Sequence, residues 1–323
     1  MTAMSNSDML ITIFGASGFL GRHVVRALAR DGYRIRAAVR RPDLAGHLQP
    51  LGRVGQIHAV QANLRHPASV EAAVHDSAVV VNLVGILFER GRQRFTAVHA
   101  GGAELVARTA AAHGARLVHV SAIGADENAT AAYARTKGLG EAAVFAAVPD
   151  AVVFRPSVIF GPDDDFFNKF GAMARLAPFL PLVGGGQTRF QPVFGGDVGE
   201  AVAKAVANET KPGTIYELGG PEVYTFKQLM QFVLATIDRR RLLLPIPFWV
   251  AKLMGQFLQF LPVPPLTPDQ VELLKQDNVV SAAAQGEGRT LQGLGIEARS
   301  VETIVPSYLW RYRKTGQFRR SLA

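Results

Sequence analysis

Two spacings in this 323-residue chain place reactive groups where chemistry could follow. Tyr133 and Lys137, in the stretch YARTK, stand at i and i+4. On a helix those positions share a face, so a phenol and an ammonium group point the same way. A cation beside a phenol lowers its pKa toward neutrality, which suits a general acid/base working on a carbinol. Upstream, LITIFGASGFLG carries Gly15, Gly18 and Gly21 in the spacing GxxGxxG. Such glycines serve a tight strand-to-helix turn, a close backbone approach to an anion, and close helix packing. Ser17, Phe19 and Leu20 complete that turn, and the free N–H groups of the helix behind it would face a pyrophosphate. Asn63, Leu64, Val84 and Gly85, at the ends of later strands, are further candidates for cofactor contact.

The residues after the second strand select the cofactor. A site for NAD places an acid there for the ribose 2′-hydroxyl, whereas a 2′-phosphate calls for arginine. The chain reads Ala38-Val39-Arg40-Arg41-Pro42, with no acid at the strand end. Guanidinium groups bind phosphate in fork geometry, so NADP(H) rather than NAD is the expected cofactor. Each signal also has a plain structural reading: a glycine turn, two solvated arginines, or a surface Tyr–Lys pair.

The elements that must position these groups alternate as βαβ units through roughly residue 160. Leu10, Ile11, Ile13 and Phe14 predict a buried strand, and Phe19 to Ala29 a helix stopped at Asp31-Gly32. Tyr33, Ile35, Ala37 and Val39 alternate as a second strand, and Ile57 to Val60 form a third. Pro67 opens a helix at its first turn, and Ala78 to Val81 read as a strand buried on both faces. Phe95 to Ala112 predict a helix, Leu117 to Val120 a fifth strand ending at Ser121, and Val152 to Phe154 a sixth before Arg155-Pro156. The expected fold is α/β, a Rossmann-type doubly wound parallel sheet with a smaller C-terminal α/β lobe. The division is placed at residues 1–160 for the NADP(H)-binding domain and 161–323 for a substrate-like lobe, the two interleaving. Ligands then collect at the carboxyl ends of the strands.

Composition narrows the function classes. There are no cysteines, which excludes disulfides and thiolate catalysis, and eight histidines lack metal-ligand spacing, so no metal is expected. Apolar residues make up 48% and charged ones 19%, as in a globular protein. The net charge of +9 favours an anionic ligand, an acidic partner or a membrane surface, and no nucleic-acid module accompanies it. The opening MTAMSNSDML has no basic region ahead of an apolar core, so neither a signal nor a transit peptide is expected, and a cytoplasmic location follows.

The order of GASGFLG, the fifth strand and YARTK resembles the short-chain dehydrogenase/reductase superfamily in its extended or atypical branch. RPSVIFGP resembles the RPxxxYGP segment of extended members, with Phe160 for tyrosine; PVFGGDV resembles their VxDVA segment, and YELGG their YNLGG strand. The likeness implies Tyr133 and Lys137 as catalytic residues, Ser121 as the candidate third member, and Pro156 and Lys137 among the cofactor contacts. Extended members carry a serine pair after the fifth strand, the later one catalytic, and here Ala122 follows Ser121. His99 stands where members carry a relay asparagine, and the loop from Ser121 to Tyr133 is short for the family. Losing oriented donors of this kind lowers rates by about two to three orders of magnitude. The implied protein holds its nucleotide better than it turns it over.

Further on, Arg239-Arg240-Arg241 leads into LLLPIPFWVAKLMGQFLQFLPVPPL, whose five prolines confine it to one short helix, about Pro247 to Leu261. Ile246, Trp249, Val250, Leu253, Met254, Phe257, Leu258 and Leu261 recur on one side, with Lys252, Gln256 and Gln259 on the other. Such a stripe either caps the lobe or docks on a membrane surface or large partner. The stretch WRYRKTGQFRR adds a basic tail of Arg311, Arg313, Lys314, Arg319 and Arg320. With HVSAIGA and RPSVIFGPDDDFFNKF, these features resemble the subgroup that contains the nucleotide-binding accessory subunit of respiratory complex I and its bacterial relatives. That resemblance implies bound NADPH, complex I subunits as partners, and a peripheral place on the cytoplasmic face of the inner membrane. Two uses remain open: an accessory module with weak catalysis, or a working reductase, epimerase or dehydratase on a nucleotide-sugar, sterol or quinone-like substrate. A sensor of the NADPH/NADP ratio is a third.

Overall fold

Seven short apolar runs pair in parallel to form the main sheet. In the computed structural model, which describes residues 5–317, they are β1 (Leu10–Phe14), β2 (Arg34–Val39), β3 (Ile57–Gln61), β4 (Val79–Asn82), β5 (Arg116–Val120), β6 (Val152–Pro156) and the strand Ile215–Leu218. Their spatial order is Ile215–Leu218, β6, β5, β4, β1, β2, β3. The direction of winding therefore reverses between β1 and β4, which is where such sheets open a ligand crevice. Ile11, Ile13 and Val79 to Val81 are fully buried, as strands covered on both faces must be.

Helices cover the sheet on both sides. On one side α1 (Phe19–Arg30) packs against the helix Gly195–Val206. On the other lie α2 (Pro67–Val74), α3 (Gly101–Ala112) and α4 (Ala132–Ala147), whose alanines and valines close on Phe14, Val80, Leu117 and Val153. The fold is Rossmann-like.

The segment predicted as one helix from Phe95 to Ala112 is two pieces. Thr96–Ala100 form a turn of π-helix that runs into α3. At this turn α4 comes close: a Cβ on its Gly140 would lie 2.2 Å from the His99 carbonyl oxygen. A π-turn holds His99 at this depth, and such turns recur at functional sites.

By its contacts the chain divides into two units. The first takes the residues up to Pro156, with Gly195–Leu218 and Ser281–Glu297, and the second takes Ser157–Phe194, Gly219–Val280 and the residues from Ala298 on. The second unit has its own core, in which Phe160, Phe167, Phe190 and Phe226 gather with Leu180, Leu229, Val305 and Leu309. Two strands, Phe179–Val183 and Leu242–Ile246, pair in parallel there, and the Tyr308 hydroxyl donates to the buried carboxyl of Asp164.

The basic stretch expected as a tail is tied down as far as it is described. Arg311 Nε donates to the Tyr308 carbonyl at 2.9 Å and Arg313 Nε to that of Thr236 at 2.7 Å. Arg239 Nε donates to the Tyr312 carbonyl at 2.8 Å. Arg319 and Arg320 lie outside the described residues. The apolar helix runs Phe248–Leu258, shorter than expected.

Candidate nucleotide cleft and catalytic set

The turn after β1 is built on glycine for two separate reasons. Gly15 has φ +82°, the left-handed region that costs a side-chain-bearing residue, and a Cβ on Gly21 would lie 2.3 Å from the Gly15 carbonyl oxygen. Gly18 caps α1 without a side-chain bond, and Arg22 N–H returns to the Gly18 carbonyl. The first-turn N–H groups of Phe19, Leu20 and Gly21 are thus left without intrahelical acceptors, at the positive end of the helix.

In front of this turn a cleft of about 240 Å³ opens at the carboxyl ends of β1 to β4. Gly15, Ser17, Gly18, Arg40, Asn63, Leu64, Val84 and Gly85 line it, as does Arg65 after β3 and Arg92 before the π-turn. Asn63 shapes one wall, its Oδ1 accepting the Arg65 N–H at 3.1 Å. Asn82 Oδ1 likewise accepts the Val84 N–H at 3.1 Å on the opposite wall. Three guanidinium groups and no carboxylate belong to this lining. Arg41 stands apart from its neighbour. It forks onto Asp43, with Nη2 to Oδ2 at 2.6 Å, and does not line the cleft. Arg65 and Arg92 escape sequence reasoning because each lies in a loop, brought to the cleft only by the order of the strands.

Behind Gly85 the polar groups are buried and interlocked. Lys137 Nζ donates to the Val120 carbonyl at 3.2 Å, and a Cβ on Gly85 would lie 3.4 Å from that nitrogen. Burial pushes the Lys137 ammonium down to about 8, with nearby Glu141 opposing. Glu141 is itself forked to Arg155, with Nε to Oε1 at 2.9 Å. His99 Nε2 accepts the Ile86 N–H at 3.1 Å, so its proton resides on Nδ1, which donates to Thr136 Oγ1 at 3.2 Å. The Thr136 hydroxyl passes on to the Ala132 carbonyl at 2.8 Å. Burial, and then the Lys137 charge, lower the His99 pKa to about 3, so the ring is neutral. The half-buried Tyr133 ring meets His99 edge to face, at 5.2 Å between centroids, and Phe95 at 5.8 Å.

Two further groups belong to this layer. Asn82 Nδ2 donates to His119 Nδ1 at 3.2 Å, which leaves the proton on a buried Nε2 that meets no partner among the described residues. Ser121 Oγ is buried and equally without a partner among them, whereas Ala122 is half-exposed. Tyr133, Lys137, Ser121 and Pro156 do not line the cleft; Lys137 approaches it from beneath Gly85, and Pro156 ends β6. Phe19, Leu20 and Gly21 lie behind the lining, in the first turn of α1.

Residues 11–219 match the model of the NAD dependent epimerase/dehydratase family. The chain belongs to that family. The fold of this epimerase/dehydratase-family member is accordingly an NAD(P)-binding one. An Arabidopsis thaliana protein called NADH dehydrogenase [ubiquinone] 1 alpha subcomplex subunit 9, mitochondrial, is 33% identical over 97% of this chain and 80% of its own length. A ceramide reductase of Caulobacter vibrioides is 37% identical over 54% of each chain. Among solved structures, an NADPH-dependent quinone oxidoreductase of Escherichia coli complexed with NADPH superposes with a TM-score of 0.72 at 18% identity, covering 93% of this chain and 99% of the other. At that identity the likeness concerns the fold.

Proposed function

We propose that this epimerase/dehydratase-family protein holds NADP(H) firmly, turns it over slowly, and serves as an accessory or assembly subunit of respiratory complex I. The observation that carries the nucleotide half is the cleft lined by Arg40, Arg65 and Arg92 without a carboxylate. An acid there would accept the 2′-hydroxyl of NAD and repel a 2′-phosphate, whereas guanidinium groups favour the phosphate. The first turn of α1 would hold the pyrophosphate, and Asn63 and Leu64 would flank the adenine side. A nicotinamide bound beyond Gly85 would supply hydride chemistry.

Two residues around that position support the slow-turnover reading. Ala122 offers no hydroxyl where the later serine of the family pair would stand, and the Ser121 hydroxyl is buried away from the cleft. Lys137, by contrast, retains its charge at neutral pH, so Tyr133 keeps an activating cation on its own helix face and it is the missing hydroxyl that limits the step. The complex I half is supported by likeness over almost the whole chain to a protein named as a subunit of NADH dehydrogenase. A peripheral position on the cytoplasmic face of the membrane fits it, and among the described residues no helix is long and apolar enough to cross one.

Native separation of mildly solubilised membranes tests the assignment. Co-migration of this chain with NADH dehydrogenase activity is the expected result. A chain confined to the soluble fraction overturns it.

One observation favours a second reading. The Tyr133–Lys137 pair is intact, and a relative over half the chain is a ceramide reductase. A working reductase on a lipid-like carbonyl would use both residues. Tyr133→Phe decides between the two: loss of cellular function with NADPH binding retained favours the enzyme, and unchanged function favours the accessory role.

A further inference from the structure

The helix Phe248–Leu258 turns most of its apolar stripe to solvent instead of capping the lobe with it. Its small residues turn inward: Ala251 and Gly255 are buried, and a Cβ on Gly255 would lie 2.9 Å from the Pro268 nitrogen. Together with Val183, Ile246 and Val271, Ala251 forms a small core of its own. Phe248 and Val250 pack against that core, and the other large apolar residues turn outward. Trp249 is 73% exposed, Phe257 72% and Phe260 83%, with Leu253, Leu261 and Val263 also open to solvent. Exposed apolar residues also stand on the strand pair that leads into the helix, where Leu242 lies opposite Phe179 in register. An apolar surface of this extent in water marks an interaction site.

We propose that this surface docks on an anionic lipid bilayer. The charges around it select that occupant. No carboxylate occurs between Asp238 and Asp269, or between Asp165 and Asp197, the two stretches that form the surface. The same stretches carry exposed Arg175, Arg240 and Lys252. Aromatic and aliphatic side chains on a short helix, with exposed Arg175, Arg240 and Lys252 in the same stretches and the nearest carboxylates, Asp238 and Asp269, only at their ends, suit the headgroup and acyl boundary. Pro262, Pro264 and Pro265 end the helix well short of a span, so the helix lies in the membrane plane.

The proposal deepens the peripheral placement above and rests on it only for which membrane is met. Protein-free vesicles test it apart from any respiratory complex. The full chain carrying Trp310→Phe keeps Trp249 as its sole tryptophan. It is mixed with vesicles of phosphatidylcholine, with or without phosphatidylglycerol, and floated on a density gradient. The expected result is flotation with the anionic vesicles, a blue shift of Trp249 emission, and quenching by lipids brominated on their acyl chains. Arg240→Glu and Lys252→Glu each weaken binding by about fivefold or more at low salt. Trp249→Glu with Phe257→Glu, tested by flotation, weakens it on the order of a hundredfold. NADPH binding and the thermal melt, unchanged in that pair, show that the fold persists. Three results overturn the proposal: a chain that stays with the soluble fraction beside anionic vesicles, unshifted Trp249 emission, or a soluble dimer that the paired glutamates convert to monomer without any vesicle binding.

Discussion

The cleft and the layer behind it hold their polar groups in opposite ways. Arg40, Arg65 and Arg92 are exposed, and none of their guanidinium groups is engaged by a side-chain bond or ion pair among the described residues. Lys137, His99, His119 and Ser121 are buried, and Lys137 and His99 are tied to backbone groups by hydrogen bonds. Exposed cations keep their hydration and rotamer freedom until an anion arrives, and then act mainly through charge. Buried groups have been fixed in protonation and orientation by folding itself. Binding and turnover should therefore respond to different substitutions, and that separation can be broken or sharpened in order of expected effect.

The largest effect belongs to the turn that both regions share. Gly21→Ala puts a methyl group 2.3 Å from the Gly15 carbonyl oxygen, so the turn must open. Overpacking of this kind costs about 3 kcal/mol. The expected outcome is a lower melting temperature with loss of nucleotide binding, read by calorimetry and by titration with NADPH. Binding at wild-type strength would mean that the α1 terminus does not face the pyrophosphate.

Next come the arginines, where the structure splits a pair that the sequence presents as one. Arg40→Ala should weaken NADP(H) about 10- to 100-fold, the loss of one charge-assisted contact, and leave NAD(H) nearly unchanged. Arg41→Ala should change neither by more than about threefold, because its fork is already taken by Asp43 and surface pairs contribute little. Equal losses at the two positions would show that Arg41 leaves Asp43 to reach the phosphate. Asp43 is two residues away in the sequence, yet only the turn at Pro42 shows that Arg41 closes on it.

The glycines were legible because their spacing and flanking strand allow few other conformations. The parallel sheet was legible because strands buried on both faces read as continuous apolar runs, as at Val79 to Val81. The burial of His99 was not, since it sits in a π-turn against α4, where Gly140, far along the chain, comes close to it. Nor was the orientation of the helix Phe248–Leu258. Its stripe is plain in the sequence, but which side faces inward was decided by the fit of Ala251 and Gly255 against Thr267 and Pro268.

A smaller effect is expected from restoring a hydroxyl. Ala122→Ser should raise NADPH oxidation with carbonyl or quinone acceptors by about tenfold, below the full worth of an oriented donor because the serine lacks evolved neighbours. Adding Tyr133→Phe should cancel the gain. A gain that survives without the phenol would assign the chemistry elsewhere.

Apart from these substitution effects stands a pH dependence that belongs to the buried layer alone. Burial, then the Lys137 charge, holds His99 and His119 down to about 3 from the usual 6.5, whereas the unfolded chain takes up a proton on each below 6.5. The unfolded state thus binds more protons in the window from 6.5 to about 3, and stability falls as pH drops through it. Each histidine contributes a slope of at most about 1.4 kcal/mol per pH unit, approached only well below 6.5. The clean interval is pH 6.5 to 5, above the range where carboxylates titrate. There His119→Leu should remove close to half of the acid slope in urea midpoints, and His99→Leu a similar share. Mutations of the cleft arginines should leave the slope untouched. Lys137 gives the mirror image: its folded pKa, about 8, lies below the 10.5 of the free side chain. The unfolded state holds the extra proton between those values, so stability rises with pH across them, and Lys137→Met should abolish that rise. A slope that ignores His119→Leu would mean that this ring takes up a second proton at Nδ1 inside the folded protein, its Nε2–H reaching water or a ligand.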